Sequence, residues 1–383
     1  MTTTVKVFKS TDAGAPVLSG TAGSLLGVLN AILVNGYNSK SISVTQSAGL
    51  ATASSPAHGF VSGQCLLIAG ADQVEYNGEK FITVVDANSF TFPVAESAIT
   101  PATGSLTAKV APAGWTAPFN GTNKAVYRMT GGNQRYLRVD DTGTTQARVV
   151  GYESMTSVDV GTGDFPTSVQ FSGGLYINKS SLADTSARQW VAMANDRLLH
   201  LWINAGPSVG LICGHQCFGD IKSFAGGDQF NTVLMAQTSY SASSVGAFQA
   251  MVTTQAYGTL LTGNYIARAY TQTGGAVQIG KHADAAKMAS LTAMLGGAGL
   301  PYPNAADGGL YLSPLFIHEA GAIRGILPGV WAPLHVRPFG HMDTVNGSGI
   351  LADKVFLALN ADGSSAAVTA GQLLYETSNT WDL

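Results

Sequence analysis

Apolar and polar positions alternate with a period of two through most of the chain, which predicts strands rather than helices. Residues 4–9 alternate in this way, as do Arg135–Val139 and Ala147–Tyr152. Trp190–Met193 and Leu198–Ile203 are apolar runs joined by Asn195-Asp196, a hairpin signal. Val209–Cys213 and Asn231–Ala236 read as further short strands, and Asp159–Pro166 as a loop. Beyond a Ser/Thr/Ala-rich stretch at 237–262 and an Ala/Gly segment or short helix at 281–300, strands return at 310–312, 315–318 and 355–359. A last turn is expected at Leu373–Thr377, before Trp381. One segment breaks the pattern. Leu25, Leu26, Val28, Leu29, Ile32 and Leu33 recur at helical spacing, with Ser19 or Thr21 as the expected N-cap and Asn35-Gly36 as the stop. Its polar face holds little more than Ser24 and Asn30, so the helix is expected to be buried, in its own domain or partly against a neighbouring subunit.

Residues 41–110 carry their own strand-and-turn rhythm. Strands are expected at Ser41–Gln46, Gly63–Ile68, Phe81–Val85, Ser89–Val94 and Leu106–Val110, with Tyr76-Asn77-Gly78 as a hairpin turn. The segment reads as a small β-sandwich or barrel inserted into a main body formed by 1–40 and 111–383. That body could divide again near 205–300. The expected fold class is mainly β (α+β): a β-rich main body, one strong N-terminal helix and the inserted module.

Composition sharpens this. Only 11% of the 383 residues are charged, against roughly 25% in an ordinary soluble domain. The hydrophobic share of 45% and net charge of −3 exclude a disordered chain. A pI near 6.1 without a basic run argues against nucleic-acid binding. The apolar stretch Leu25–Val34 falls short of the roughly 18 residues of a membrane span, so no membrane insertion is expected. The first residues lack the organisation of a secretory signal, and three cysteines (Cys65, Cys213, Cys217) cannot complete a disulfide framework. A reducing compartment is the expected setting.

No chemical motif is complete. Cys213-Gly-His215-Gln-Cys217 lacks the second ligand pair of a zinc site, so buried thiols and a satisfied histidine are expected and no metal or cofactor is assigned. His318-Glu319 lacks the second histidine of a zinc hydrolase. His335, His341 and Asp343 read as loop hydrogen-bonding groups. Asp140, Asp141, Glu153, Asp159 and Asp164 could supply a glycosidase pair, but acids in turns usually cap their own backbone. Trp115, Phe119, Tyr127, Trp190, Trp202, Trp331 and Phe339 suit cores and interfaces alike. The interface positions expected from this pattern are Leu25, Leu29, Ile32, Trp115, Trp331 and Phe339; no catalytic residue is assigned.

Two strings carry a resemblance. His58-Gly59-Phe60, Gly63, Ile68, Gly70, Tyr76-Asn77-Gly78, Phe81 and Asp86–Phe92 resemble a small β-module of phage tail and fibre proteins. The main body resembles virion structural proteins of tailed bacteriophages, through Val7–Gly20, Val34–Tyr37, Ala113–Trp115, Tyr152–Met155, Gly173–Tyr176 and Arg324–Gly329. The resemblance implies a non-enzymatic particle component, in the head decoration, neck or tail and baseplate. Its expected partners are other virion proteins and copies of itself, with host-surface glycan as a further contact for the module. Assembly in the bacterial cytoplasm and residence in the virion would follow. The alternatives are a carbohydrate-directed, depolymerase-like particle enzyme and a glycan-binding module.

Overall fold

The computed structural model describes residues 4–206, 214–239, 263–282, 301–319, 321–335, 339–360, 372–378 and 380–381. The expected strand at 209–213 and the segment 283–300 lie outside them. The protein is mainly β, with 48% strand and 5% helix, and its helix sits near the N-terminus as expected.

Three antiparallel sheets form the main body. The central sheet orders its strands as Lys6–Lys9, Trp190–Ala194, Leu198–Ile203, Gly214–Asp220, Thr232–Met235, Asn264–Ile266 and Val277–Gln278. One of its faces presents Leu199, Leu201, Phe218 and Leu234 to the second sheet, built from residues 116–178. Phe165 of that sheet stacks on Phe218, with ring centroids 6.1 Å apart. The opposite face presents Val191, Met193, Leu198, Trp202 and Cys217 to the third sheet, whose facing residues include Leu315, Leu327, Val330, Leu357 and Tyr375. Side chains alternate faces along a strand, so a sheet covered on both sides must be apolar at every position. Trp190–Ala194 and Leu198–Ile203 are buried throughout for this reason. The outer face of the third sheet is lined by Val345, Phe356, Ala358 and Leu374, with Trp331 and Phe339 half-buried against them.

Two turn and loop expectations become strands. Gly161–Phe165 pairs with Gln146–Met155 at the rim of the second sheet. Gln372–Glu376 is an internal strand of the third sheet, between Ala322–Pro333 and Val355–Asn360. Both segments lack clean alternation: the first is rich in Gly, and the second (QLLYE) is buried throughout.

The helix runs Ser24–Leu29 and widens into a π-helical turn over Asn30–Asn35. Gly36 follows at φ 71°, the positive value its position at the stop predicts. Ser19 and Thr21 do not cap it: their hydroxyls bond each other, and the cap residue is Gly23, which has no side chain to offer. The cap comes from 116 residues away. Asp141 Oδ2 accepts from the backbone N–H groups of Leu25 (2.8 Å) and Leu26 (3.3 Å), the positions an N-cap side chain would serve. Lys179, which also donates to the Thr21 carbonyl, closes an ion pair with Asp141, and both side chains are fully buried. Burial pushes the Asp141 carboxyl up and the Lys179 ammonium down, while the pairing opposes both shifts. At the other end, Ala113 N–H donates to Ile32 and Trp115 N–H to Leu33, so residues 113–115 take up carbonyls the helix leaves open.

Residues 37–110 pair only among themselves, in two four-stranded sheets. The first holds Tyr37–Ser41, Gly104–Val110, Cys65–Ala71 and Gly78–Phe81; the second holds Ser43–Ser47, Leu50–Ser54, Ser89–Pro93 and Thr83–Asp86. Tyr37 and Val110 are cross-strand partners, so the chain enters and leaves this unit at adjacent points. Pairing thus begins at Tyr37, four residues before the boundary expected from sequence. Tyr76-Asn77-Gly78 is not a tight hairpin turn. Val74–Tyr76 forms a 3-10 turn and Asn77 is extended, its side chain bonded to both backbone groups of Ala71.

Two outcomes follow from this architecture. Asp141→Ala leaves Lys179 buried without its partner and should lose about 3–5 kcal/mol in chemical denaturation. Asp141→Leu combined with Lys179→Met should recover all but the about 1 kcal/mol of the lost cap; a single-variant loss below about 1 kcal/mol would show that the pair does not hold the helix. Replacing residues 37–110 by a short Gly/Ser linker should leave a main body that still unfolds cooperatively, because no strand pairing crosses the cut. Loss of its near-ultraviolet circular dichroism would contradict this.

Candidate functional site

Among the described residues, one group of His and Cys side chains converges between the central and third sheets. Leu198, His200 and Trp202 alternate onto one face of their strand. The neighbouring strand sets Cys217 directly opposite His200 and His215 opposite Trp202. Two adjacent strands therefore bring His200, His215 and Cys217 to one point, and their potential ligand atoms all lie within 4.8 Å of one another.

Hydrogen bonding fixes the histidine tautomers. His200 Nε2 lies 3.0 Å from the Pro328 carbonyl, which can only accept, so Nε2 carries the proton. Neutral His200 then offers a lone pair at Nδ1, and His215 Nε2, 3.0 Å away, must donate to it. Burial holds His200 at about 4. It holds His215 well below its ordinary value, with His200 and Lys281 adding to the effect. The thiol of Cys217 is pushed up by burial and partly pulled back by the nearby Lys281, itself lowered to about 8 by burial. Aromatic rings close the group. Trp202 stacks on His215 at 5.3 Å, Trp381 meets His200 edge-on at 5.1 Å, and Tyr375 contacts both histidines at 5.5 Å. Gly329, at φ 73°, makes room for Trp381: a Cβ there would lie 2.3 Å from the indole nitrogen.

A second buried group is ionic. Arg324 donates to both oxygens of Asp228 (3.0 and 2.9 Å) and to Glu319 at 2.8 Å, and reaches the carbonyls of Phe230 and Arg268. Glu319 in turn accepts from the Tyr270 N–H. Arg268 pairs with Glu153 through two bonds of 2.6 and 2.7 Å and lies over the Phe230 ring. This network ties loops of the central sheet to the third sheet and leaves its carboxylates occupied.

The Arg324–Glu319 pair accounts for His318-Glu319, whose glutamate is a structural acceptor. His335 bonds the Pro301 carbonyl and the Tyr311 N–H, a loop role as expected. The candidate acids are partnered. Asp140 accepts from Thr142, capping its own turn, and sits with Asp159 among Arg138 and Lys124. Asp141 is no solvated cap but the buried helix anchor, and Asp164 accepts from Ser168 N–H. Cys65 is buried beside Glu79, and Cys213 lies outside the described residues. Of the interface expectations, Leu25, Leu29, Ile32 and Trp115 are buried within the chain itself, and Trp115 donates to the Asn195 carbonyl at 2.7 Å. Trp331 and Phe339 keep partial exposure.

Sequence spacing brought out His215 and Cys217 but not His200, which lies in another strand and in a wholly apolar run. A lone histidine in such a run, beside a hairpin signal, is the trace that could have pointed to it. Compared with known proteins, the sequence matches no family model and no curated protein.

Nitrogen-15 NMR of histidine-labelled, chelator-treated protein at neutral pH should report both His200 and His215 as neutral Nε2–H tautomers. An imidazolium signal from either would contradict the assignment.

Proposed function

We propose that the chain is a non-enzymatic structural component of a tailed-phage particle, packing through its main body against other virion proteins and copies of itself. Residues 37–110 would form an accessory module on that body, available for host-surface contact. One observation carries this reading: large apolar side chains remain exposed on loops and rims of a chain already poor in charge. Val169 (95% exposed), Leu182, Phe224 and Tyr270 do so on the main body. On the module they come in pairs. Val74 and Ile99 sit on loops joined by the Tyr76 hydroxyl donating to the Ile99 carbonyl, and Val61 and Val85 flank the bond from Val84 N–H to Ser62. Single exposed apolar residues are ordinary, and it is their gathering on one surface that marks contact sites. The sequence motifs behind the phage resemblance are consistent with a structural role. Arg324 anchors the ionic network, Pro328 accepts from His200, Gly329 admits Trp381, and Trp115 locks the helix to a hairpin.

A second reading, glycan contact, draws on a cleft of about 150 Å³ lined by Arg138, Tyr152, Asp164, Ser168 and Phe171. Aromatic faces beside polar groups suit sugars.

The chain should be a stoichiometric band in purified virions, and its absence there would end the structural reading. Val169→Asp with Phe224→Asp should change monomer stability by no more than about 0.5 kcal/mol yet reduce incorporation. Release of reducing sugar from host polysaccharide by the purified protein would instead favour a depolymerase.

A further inference from the structure

We propose that His200, His215 and Cys217 form a binding site for one thiophilic d10 cation, Cu+ or Zn2+, buried between the central and third sheets. A cross-strand pair plus the residue two positions along the second strand places three side chains on one face. Here all three are ligand types, and their donor atoms converge to within 4.8 Å. An ion bound by two imidazoles at about 2.0–2.1 Å needs nitrogens about 3.3 Å apart in a tetrahedral shell and about 3.5 Å apart in a trigonal one. His200 Nδ1 and His215 Nε2 are 3.0 Å apart, so a shift of a few tenths of an ångström admits the ion between them. A thiolate with two imidazoles selects soft cations over magnesium or calcium.

The surroundings fit a ligand set already oriented for metal. Pro328 holds the outer nitrogen of His200, which aims Nδ1 into the site, as outer partners of metal-bound histidines do. Trp202, stacked on His215, has a buried indole N–H without an acceptor. Three protein ligands suffice for Cu+; Zn2+ would add a small fourth ligand.

Proton and charge balance are simple. On binding, Cys217 releases its thiol proton to solvent, and His215 gives up its Nε2 proton and takes one up at Nδ1 by exchange with solvent, so the imidazole stays neutral with no net proton change. Lys281 favours the thiolate and opposes added positive charge. Cu+ with a thiolate adds no net charge to the cluster, whereas Zn2+ adds one, so the balance favours Cu+.

The test is to refold the full chain from denaturant with equimolar Cu+ (anaerobically) or Zn2+, desalt it, and measure bound metal. The expected result is about one ion per folded chain with at least one of the two cations, and an X-ray absorption shell of one sulfur and two nitrogens. Cys217→Ala and His215→Ala should bind at least tenfold more weakly, with Cys65→Ala unchanged. Less than about 0.1 ion per folded wild-type chain with both cations overturns the proposal. So does stoichiometric binding that survives Cys217→Ala. If the variants fail to fold, the absorption spectrum of the wild type decides alone, since a shell without sulfur also overturns it. The relative occupancy with Cu+ and Zn2+ identifies the ion.

Discussion

A sheet covered on both faces leaves no position along its strands for solvent to rescue. That constraint organises this protein. The central sheet packs the second sheet and the helix on one side and the third sheet on the other. Its inner strands Trp190–Ala194 and Leu198–Ile203 are therefore almost wholly apolar, and any polar group buried within the sheet needs a partner from its own or a neighbouring layer. Unpartnered, such a group would cost about 1–3 kcal/mol, a large share of a domain's net stability.

The buried polar groups sit where layers or distant segments meet. Asp141 and Lys179 bind the helix start to the second sheet, joining residues distant in sequence. Arg324 draws Asp228, Phe230 and Arg268 from beside the central sheet against Glu319 of the third. His200 crosses the same seam to Pro328. Apolar layers alone tolerate sliding, because hydrophobic burial has no direction. A charge pair or a histidine bonded to one carbonyl does not, so these groups fix the register in which layers meet.

The period-two pattern was enough to read the fold class, the helix and the Trp190–Ile203 hairpin, because those signals are local. It was not enough where the deciding partner is remote. Nothing near Gly23 announces that the cap arrives from Asp141, and Ser19 and Thr21 are better local candidates that the tertiary structure overrides. Gly161–Phe165 and Gln372–Glu376 become strands through their neighbours rather than their own alternation. The same blindness applied to chemistry. His215 and Cys217 stand out by spacing, but only the register beside Leu198–Ile203 adds His200. Helix residues such as Leu25 and Ile32 looked available for a partner because sequence cannot distinguish a helix buried in its own chain from one buried in another.

The scarcity of charge now divides into two parts. One is internal: a central sheet without a solvent face removes positions that alternating strands would give to polar residues. The other is external, and the structure makes it larger. Among the described residues, Lys6, Asp141, Lys179, Arg188, Asp220, Lys281, Glu319, Arg324 and Glu376 are buried, so at least nine of the 43 charged residues contribute almost nothing to the surface. The surface is thus left with fewer charges than an 11% share suggests, while side chains such as Val74, Ile99, Val169 and Phe224 lie open on it. A weakly charged surface resists self-association poorly. For a chain meant to stay alone that is a liability; for one meant to be covered by neighbours it lowers the desolvation cost of being covered.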